Sequence, residues 1–479
     1  MNFIGLLFLL VTQLITGRGL MQLCKVQIRP LLMFCFSMIS GVAIFSFLPF
    51  FIELLHLPIT MTSVATAIGI TTVAFMLPLF AIIKNFKLPS FNDIKLPTLY
   101  ELPFWVILGL LMALSIWRCY YYPPNARDML SGPEVLADFA LKEKHIINSV
   151  FTVDLQSTNN YLKPPYIISL QIIYKLFVQP FGQTWLSILF VNFIIILYTL
   201  LKEKLHPLII GFLMLYFFAM PEVFGYTYLM LFDYSNMIFL FGGFYFLSRY
   251  FEEMEVSNFR FAVFLFAIAT YIRTETLIIE GMVLPLIFFY QYKDKLGAAK
   301  SWIRMGLFII VPFIVYFLCM NIYIKHFIPV KYDVSNDINK NLGDVSFFLN
   351  RLYDIVDKLI FADHLPYYGY FPHLFFIIIA VDIIFFRKFN KEAITMLYGI
   401  LVVYIGLAFI GYLLPLADLL HTTKRGMFKL LPLILIYYRS SPSLVKLSGI
   451  ITNWENGRQE EKKTTSAKPQ AAPARATKK

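Results

Sequence analysis

Hydrophobic and polar positions along this chain separate into long apolar runs joined by polar connections. The runs fall near 2–16, 31–55, 62–83, 102–118, 183–201, 207–221, 226–248, 259–273, 276–292, 305–325, 371–386, 394–415 and 426–438. Roughly 20 apolar residues in a helix match the ~30 Å hydrocarbon core of a bilayer. The pattern therefore predicts an all-α polytopic membrane protein with about thirteen transmembrane helices, the first and last short for a span. Every second connection is basic. Arg18, Lys25 and Arg29 follow the first run, Lys84, Lys87 and Lys95 the third, and Lys202 and Lys204 the fifth. Arg249 and Arg260 follow the seventh, Lys293, Lys295, Lys300 and Arg304 precede the tenth, and Arg387, Lys388 and Lys391 follow the eleventh. Lys and Arg favour cytoplasmic connections. The connections 119–182, 222–225, 273–275, 326–370 and 416–425 then fall on the opposite side.

The first long outer connection has internal order. Arg127, Asp128, Glu134, Asp138, Lys142, Glu143, Lys144, Asp154 and Lys163 gather in it. From Glu134 to Phe151, Leu136, Phe139, Ala140, Ile147 and Val150 recur at helical spacing, while Lys142–His145 interrupt the run, which predicts a helix lying in the interface. Pro164 and Pro165 open a further helix, where a missing N–H costs nothing. It is expected over Tyr166–Val178, as a second membrane-surface helix feeding the span at 183–201. In the other long connection, Phe347–Leu359 predicts another amphipathic helix. The expected organisation is three extra hydrophobic segments in 1–98, a catalytic transmembrane region over 99–440, and a disordered cytosolic tail over 453–479.

Composition narrows the class. At 59% hydrophobic and 15% charged residues, a soluble chain would expose large apolar patches. The net charge of +12 sits mostly between apolar runs and in the tail, so it reads as topology signal and attraction to anionic headgroups, with no nucleic-acid partner. Cys24, Cys35, Cys119 and Cys319 have no C-x-x-C spacing and imply neither a zinc site nor a disulfide framework. No A-x-A-type site follows the first run, so the amino terminus is expected to be retained. No Asp-x-Asp occurs, and the expectation is no cofactor and no obligatory divalent ion.

Trp105–Arg118 as a span, Asp128 and Glu134 in the loop after it, and Tyr161-Leu-Lys163-Pro164-Pro165-Tyr166 at the loop's end occur in that order. This arrangement resembles the GT-C-fold membrane glycosyltransferases, most closely the branch of protein O-mannosyltransferases and the lipid A aminoarabinose transferase. Three looser fragments are Asp233 in Leu-Phe-Asp-Tyr-Ser, Arg273-Thr-Glu275 at an outer turn, and Lys424-Arg425 before the last span. The similarity covers roughly 100–440; the three preceding segments depart from the family pattern. It implies a GT-C-like fold, with interfacial helices in the first large outer loop. It also implies an enzyme of the plasma (inner) membrane, multi-pass, with its active site on the non-cytoplasmic side. That enzyme would move a sugar, with inversion, from a polyprenyl-phosphate donor to a lipid, glycan or protein.

Such transfer needs a base for the acceptor's hydroxyl proton and cations for the departing phosphate. Asp128 and Glu134 are the candidate bases, left open between them. Asp128 also reads as a loop acid paired with Arg127, and Glu134 as an acid suiting the start of a helix. Lys163, Arg273, Lys424 and Arg425 are the candidate donor-phosphate ligands, and Tyr161, Tyr166, Asp233, Glu275 and His421 the candidate cavity residues. Interfacial tyrosines are common anchors, and Arg273 with Glu275 also reads as a hairpin ion pair. Asp233, inside an apolar run, is costly unless it faces a cavity or a partner such as Arg273. The alternatives are a transporter or lipid flippase, or a non-catalytic membrane scaffold. Transporters commonly show pseudo-symmetric halves and mid-membrane charges, and no corresponding halves are visible in the sequence.

Overall fold

The computed structural model describes residues 3–80, 100–158, 160, 162–179, 182–328, 343–361, 368–414 and 418–466. Among these, the regular structure is entirely helical. The long helices are α1 (Phe3–Leu23), α2 (Pro30–Leu54), α3 (Met61–Phe80) and α4 (Leu102–Tyr121). The first outer connection contributes α5 (Val135–Glu143) and α6 (Tyr166–Phe177), and α7 (Thr184–Leu201) and α8 (Pro207–Phe218) follow. Then come α9 (Phe232–Glu253), α10 (Val256–Ile272), α11 (Thr276–Gly281), α12 (Leu284–Lys293) and α13 (Ala298–Lys325). The last are α14 (Val345–Ile355), α15 (Phe371–Phe386), α16 (Lys391–Leu413), α17 (Leu430–Ser440) and α18 (Pro442–Ser466).

Among the described residues, seven helices are long and apolar enough to cross a membrane: α1, α2, α3, α4, α7, α13 and α16. This is a multi-pass membrane protein. The other apolar segments form helices that are short, broken or more polar. The segment 276–292 splits into α11 and α12, and α9 buries Asp233, Ser235 and Asn236. Close backbone approach joins α1 to α2, where a Cβ on Gly17 would collide with the Ser37 carbonyl and one on Gly41 with the Gln13 backbone. Small residues allow such contact in helix bundles that gain no hydrophobic drive from lipid.

Charged groups collect at two ends of the bundle. At one end Arg29 meets Glu203 at 3.4 Å, Lys204 meets Glu392 at 2.5 Å, and Arg439 pairs with both Glu203 and Glu392. Lys391 lies 3.6 Å from Asp294 there, and Lys202 lies 3.1 Å from Glu101. These contacts tie together connections that are far apart in sequence, all drawn from the basic set. The opposite end gathers the connections around 128, 163, 273 and 425.

Two elements differ from the sequence expectation. Helix α6, expected on the membrane surface, has eleven of its twelve residues buried, packed against α5 and the amino-terminal helices. Its polar stripe, Gln171 and Lys175, is turned inward onto Glu134 rather than toward solvent. The stretch from Asn453, expected to be disordered, continues α18 as far as Ser466. Glu455 anchors this helix through His206 Nε2 at 3.1 Å and the Tyr100 hydroxyl at 3.2 Å. In the second outer connection, the expected amphipathic helix forms as α14.

Candidate active site

At the end of the bundle opposite the basic connections, two antiparallel helices bring an acid and a base together. Asp233 lies in the first turn of α9, and Arg273 caps the carboxy terminus of α10. Each sits where its helix dipole favours its charge. Arg273 Nη1 donates to Asp233 Oδ1 at 2.5 Å, and Arg273 Nε lies 2.7 Å from Glu275 Oε1 in the turn that follows. Asp233 is 3% exposed, so this pairing offsets the cost of a buried charge. Arg273 holds the Glu275 carboxyl down at about 2, with Lys163 and Lys429 adding to the effect against burial, which acts the other way. Burial of the Arg273 guanidinium is outweighed by Asp233 and Glu275, so its pKa stands above the ordinary value.

Lys163 reaches the same place from the first outer connection. A turn holds its backbone, with its N–H donating to Asn160 O at 3.0 Å, and the buried Pro164 and Pro165 follow it. Burial lowers the Lys163 pKa; Arg273 and Arg425 lower it further, and Glu275 and Asp233 oppose them. Arg425 arrives from the last connection, its Nη1 lying 3.3 Å from Asp128 Oδ2. Residues almost three hundred positions apart thus meet at one end of the bundle. The run carrying Arg425 is itself pinned. Asp418 accepts from the N–H groups of His421 at 2.9 Å and Thr422 at 3.0 Å, Arg351 of α14 donates to Thr423 Oγ1 at 2.7 Å, and the Tyr368 hydroxyl bonds the Lys424 carbonyl. Those backbone bonds from Thr422, with the His421 side chain, hold the Asp418 carboxyl down at about 2.

The structure therefore brings Asp128, Lys163, Asp233, Arg273, Glu275 and Arg425 to one end. It separates other candidates from them. Glu134 immediately precedes α5 but its side chain does not cap the helix; instead it accepts from Gln171 Nε2 at 2.8 Å and Lys175 Nζ at 2.5 Å, and Lys175 also pairs with Asp138. Burial raises the Glu134 pKa against the opposing effect of Lys175. Tyr166, expected in the cavity, is a core residue with no exposed surface, edge-on to Trp185 and Tyr271. His421 is exposed and turned onto Asp418, 2.6 Å away. Lys424 is half-buried beside Arg425, and Tyr161 lies outside the described residues.

Two polar residues were not singled out in the sequence. Lys429, in the turn Met427–Lys429 that leads into α17, is 2% exposed. Arg273, Glu275, Asp233 and Lys163 all act electrostatically on it. Glu280, in α11, is also buried; its Oε1 accepts from Thr270 Oγ1 at 2.7 Å, and its Oε2 has no partner. A lysine and a glutamate inside apolar runs were the available signals, the same reasoning that singled out Asp233. Among the described residues no group of three or more His, Cys, Asp or Glu side chains is placed to hold a metal ion. Compared with known protein families, curated proteins and solved structures, the chain matches none.

Proposed function

We propose that this chain is a GT-C-like membrane glycosyltransferase. It moves a sugar from a polyprenyl-phosphate donor to a lipid, glycan or protein acceptor on the non-cytoplasmic face of a plasma membrane. The observation that carries the reading is the meeting of Asp128 and Arg425 beside Lys163 and the Arg273–Asp233–Glu275 group, at the end away from the basic connections. In this reading Asp128, half-exposed on its loop, takes the acceptor's hydroxyl proton. The acceptor oxygen attacks the sugar's anomeric carbon, and the bond from that carbon to phosphate oxygen breaks with its electron pair on the phosphate. Lys163, Arg425 and Arg273 stabilise the charge that develops there. Glu134 then serves the scaffold, since Lys175 and Gln171 already occupy its carboxylate.

Membranes containing the chain, incubated with radiolabelled polyprenyl-phosphate sugars, test this reading directly. Transfer that Asp128→Ala and Lys163→Ala abolish at undiminished expression is the expected result. One observation favours the transporter alternative: the buried Glu280 carboxyl inside an apolar segment, with an unpartnered oxygen. Glu280→Gln separates the two. Sugar transfer within about threefold of wild type is expected of the enzyme, whereas loss of a transmembrane substrate flux in reconstituted vesicles would favour the transporter.

A further inference from the structure

Helix α18 does not leave the bundle. At its start the Ser443 N–H donates to Asp382 Oδ1 at 2.9 Å, and Lys446 Nζ lies 5.6 Å from the centre of the Phe386 ring, both at the carboxy end of α15. Further on, Glu455 meets His206, which caps the amino end of α8, and Tyr100, just before α4. Ser443 and Glu455 are twelve residues apart, about 18 Å along a helix, and both are fixed to the basic end of the bundle. The helix therefore runs along that boundary rather than out from it. The spans it passes expose apolar side chains there, Leu102 on α4 and Ile384 and Phe385 on α15. Around its circumference α18 has three faces. Leu444, Ser448, Ile451 and Glu455, spaced four, three and four apart, are buried or half-buried against the bundle. To one side of them Leu447, Ile450 and Trp454 are 45%, 58% and 57% exposed. To the other, Gly449, Thr452, Asn453 and Asn456 are exposed, with Val445 in the first turn the one apolar side chain on that flank. Residues at i, i+3 and i+7 share a helix face, and an apolar stripe beside a polar one is the arrangement of a helix lying in a membrane interface.

We infer that α18 docks on anionic lipid, with Leu447, Ile450 and Trp454 set into the headgroup boundary of the leaflet on the basic side of the bundle. This is independent of the transferase reading. Two observations choose lipid over a second copy of the chain. The first is continuity: the stripe extends the exposed apolar surface of α4 and α15, and it includes a tryptophan, a residue enriched at headgroup level. The second is charge. Glu455 is the one carboxylate between Pro442 and Gly457 and is engaged by His206 and Tyr100, while the sequence beyond Gly457 carries seven Lys and Arg against two Glu. That excess is complementary to phosphate headgroups and would repel its own copy. The apolar stripe supplies the insertion, and the basic sequence that follows it supplies the preference for an anionic surface.

The test uses the full chain in phosphatidylcholine nanodiscs, with and without phosphatidylglycerol. Spin labels are placed singly at Leu447→Cys and Ile450→Cys, and at Asn453→Cys and Asn456→Cys as controls, in a Cys24→Ser background, the other three cysteines being buried. All four labelled positions are exposed, so the substitutions leave the packed face of α18 intact. With phosphatidylglycerol present, labels at 447 and 450 are expected to collide more with oxygen than with a water-soluble nickel chelate, at a depth of about 5–10 Å into the headgroup and acyl boundary. Labels at 453 and 456 are expected to show the reverse. Nickel access at 447 and 450 equal to that at 453 and 456 puts the stripe in water and overturns the inference. Protection of 447 and 450 from both reagents puts protein over the stripe, such as a second copy of the chain, and overturns it as well. Equal depth in discs that lack phosphatidylglycerol overturns the assignment to anionic lipid.

Discussion

Replacing Arg273 with Met leaves two carboxylates without their shared partner at this end of the bundle. Asp233 is 3% exposed and loses its 2.5 Å contact, while the Glu275 side chain, a quarter exposed, loses one at 2.7 Å. Breaking a buried pair from one side costs about 3–5 kcal/mol, because the other charge stays buried without compensation. The nearby Lys163 and Lys429, which both interact with Asp233, place the expected value near the lower figure. Asp233→Asn is gentler: Arg273 keeps Glu275, and the loss is that of one hydrogen bond between charged groups, about 1.5–3 kcal/mol. In the double variant Arg273→Met, Asp233→Asn, the uncompensated buried charge is gone, so the two losses do not add. A coupling of about 2 kcal/mol is expected. Equilibrium unfolding of purified protein in mixed micelles with increasing SDS fraction measures all three variants. Additivity within about 0.5 kcal/mol, or Asp233→Asn costing as much as Arg273→Met, would refute the argument that Arg273 compensates a buried Asp233.

Two further outcomes follow from the same structure. Glu275 has a folded-state pKa depressed to about 2; its stabilising contribution is present above its ordinary value near 4.5 and is lost as pH falls from there toward 2. Glu275→Gln is therefore expected to be less stable than wild type at neutral pH and to lose less on acidification, read by unfolding midpoints across that range; parallel acid limbs would contradict the assignment. Gly41→Leu forces a side chain against the Gln13 backbone of α1. Since backbone cannot yield as a side-chain tip does, it should cost about 3 kcal/mol or more, seen as loss of monodisperse protein on size exclusion, while Gly69→Leu, which meets nothing nearby, should behave as wild type.

Much of the fold was legible because the bilayer imposes a simple rule on sequence. Apolar runs and alternating basic connections located the helices, and the Arg29–Glu203–Arg439–Glu392–Lys204 contacts join segments that the charge pattern had already placed together. What hydropathy does not distinguish is a lipid-facing helix from one sheathed by other helices. Helix α6 is as apolar as a surface anchor, yet it is interior, and Tyr166 is buried with it. Local charge rules suggested Asp128, Lys163, Asp233, Arg273, Glu275 and Arg425, and the structure gathers these. The same rules passed over Lys429 because it lies within a span-like run among flanking cations that normally snorkel. Only its burial beside the Arg273 group distinguishes it. Glu134 shows the converse: an acid in the right loop is already engaged by Lys175, a contact between residues forty-one positions apart that spacing does not reveal.

The central claim is that the Asp128–Arg425–Lys163 end of the bundle transfers sugar from a lipid phosphate. Its most direct test is single-turnover transfer from a radiolabelled polyprenyl-phosphate sugar by purified protein in nanodiscs, for wild type, Asp128→Asn and Lys163→Met. The account predicts labelled acceptor from wild type and a loss of about a hundredfold or more in each variant, the size expected for a general base and for a transition-state cation. Label that wild type never releases from any donor of this class, or that both variants release at the wild-type rate, would contradict it.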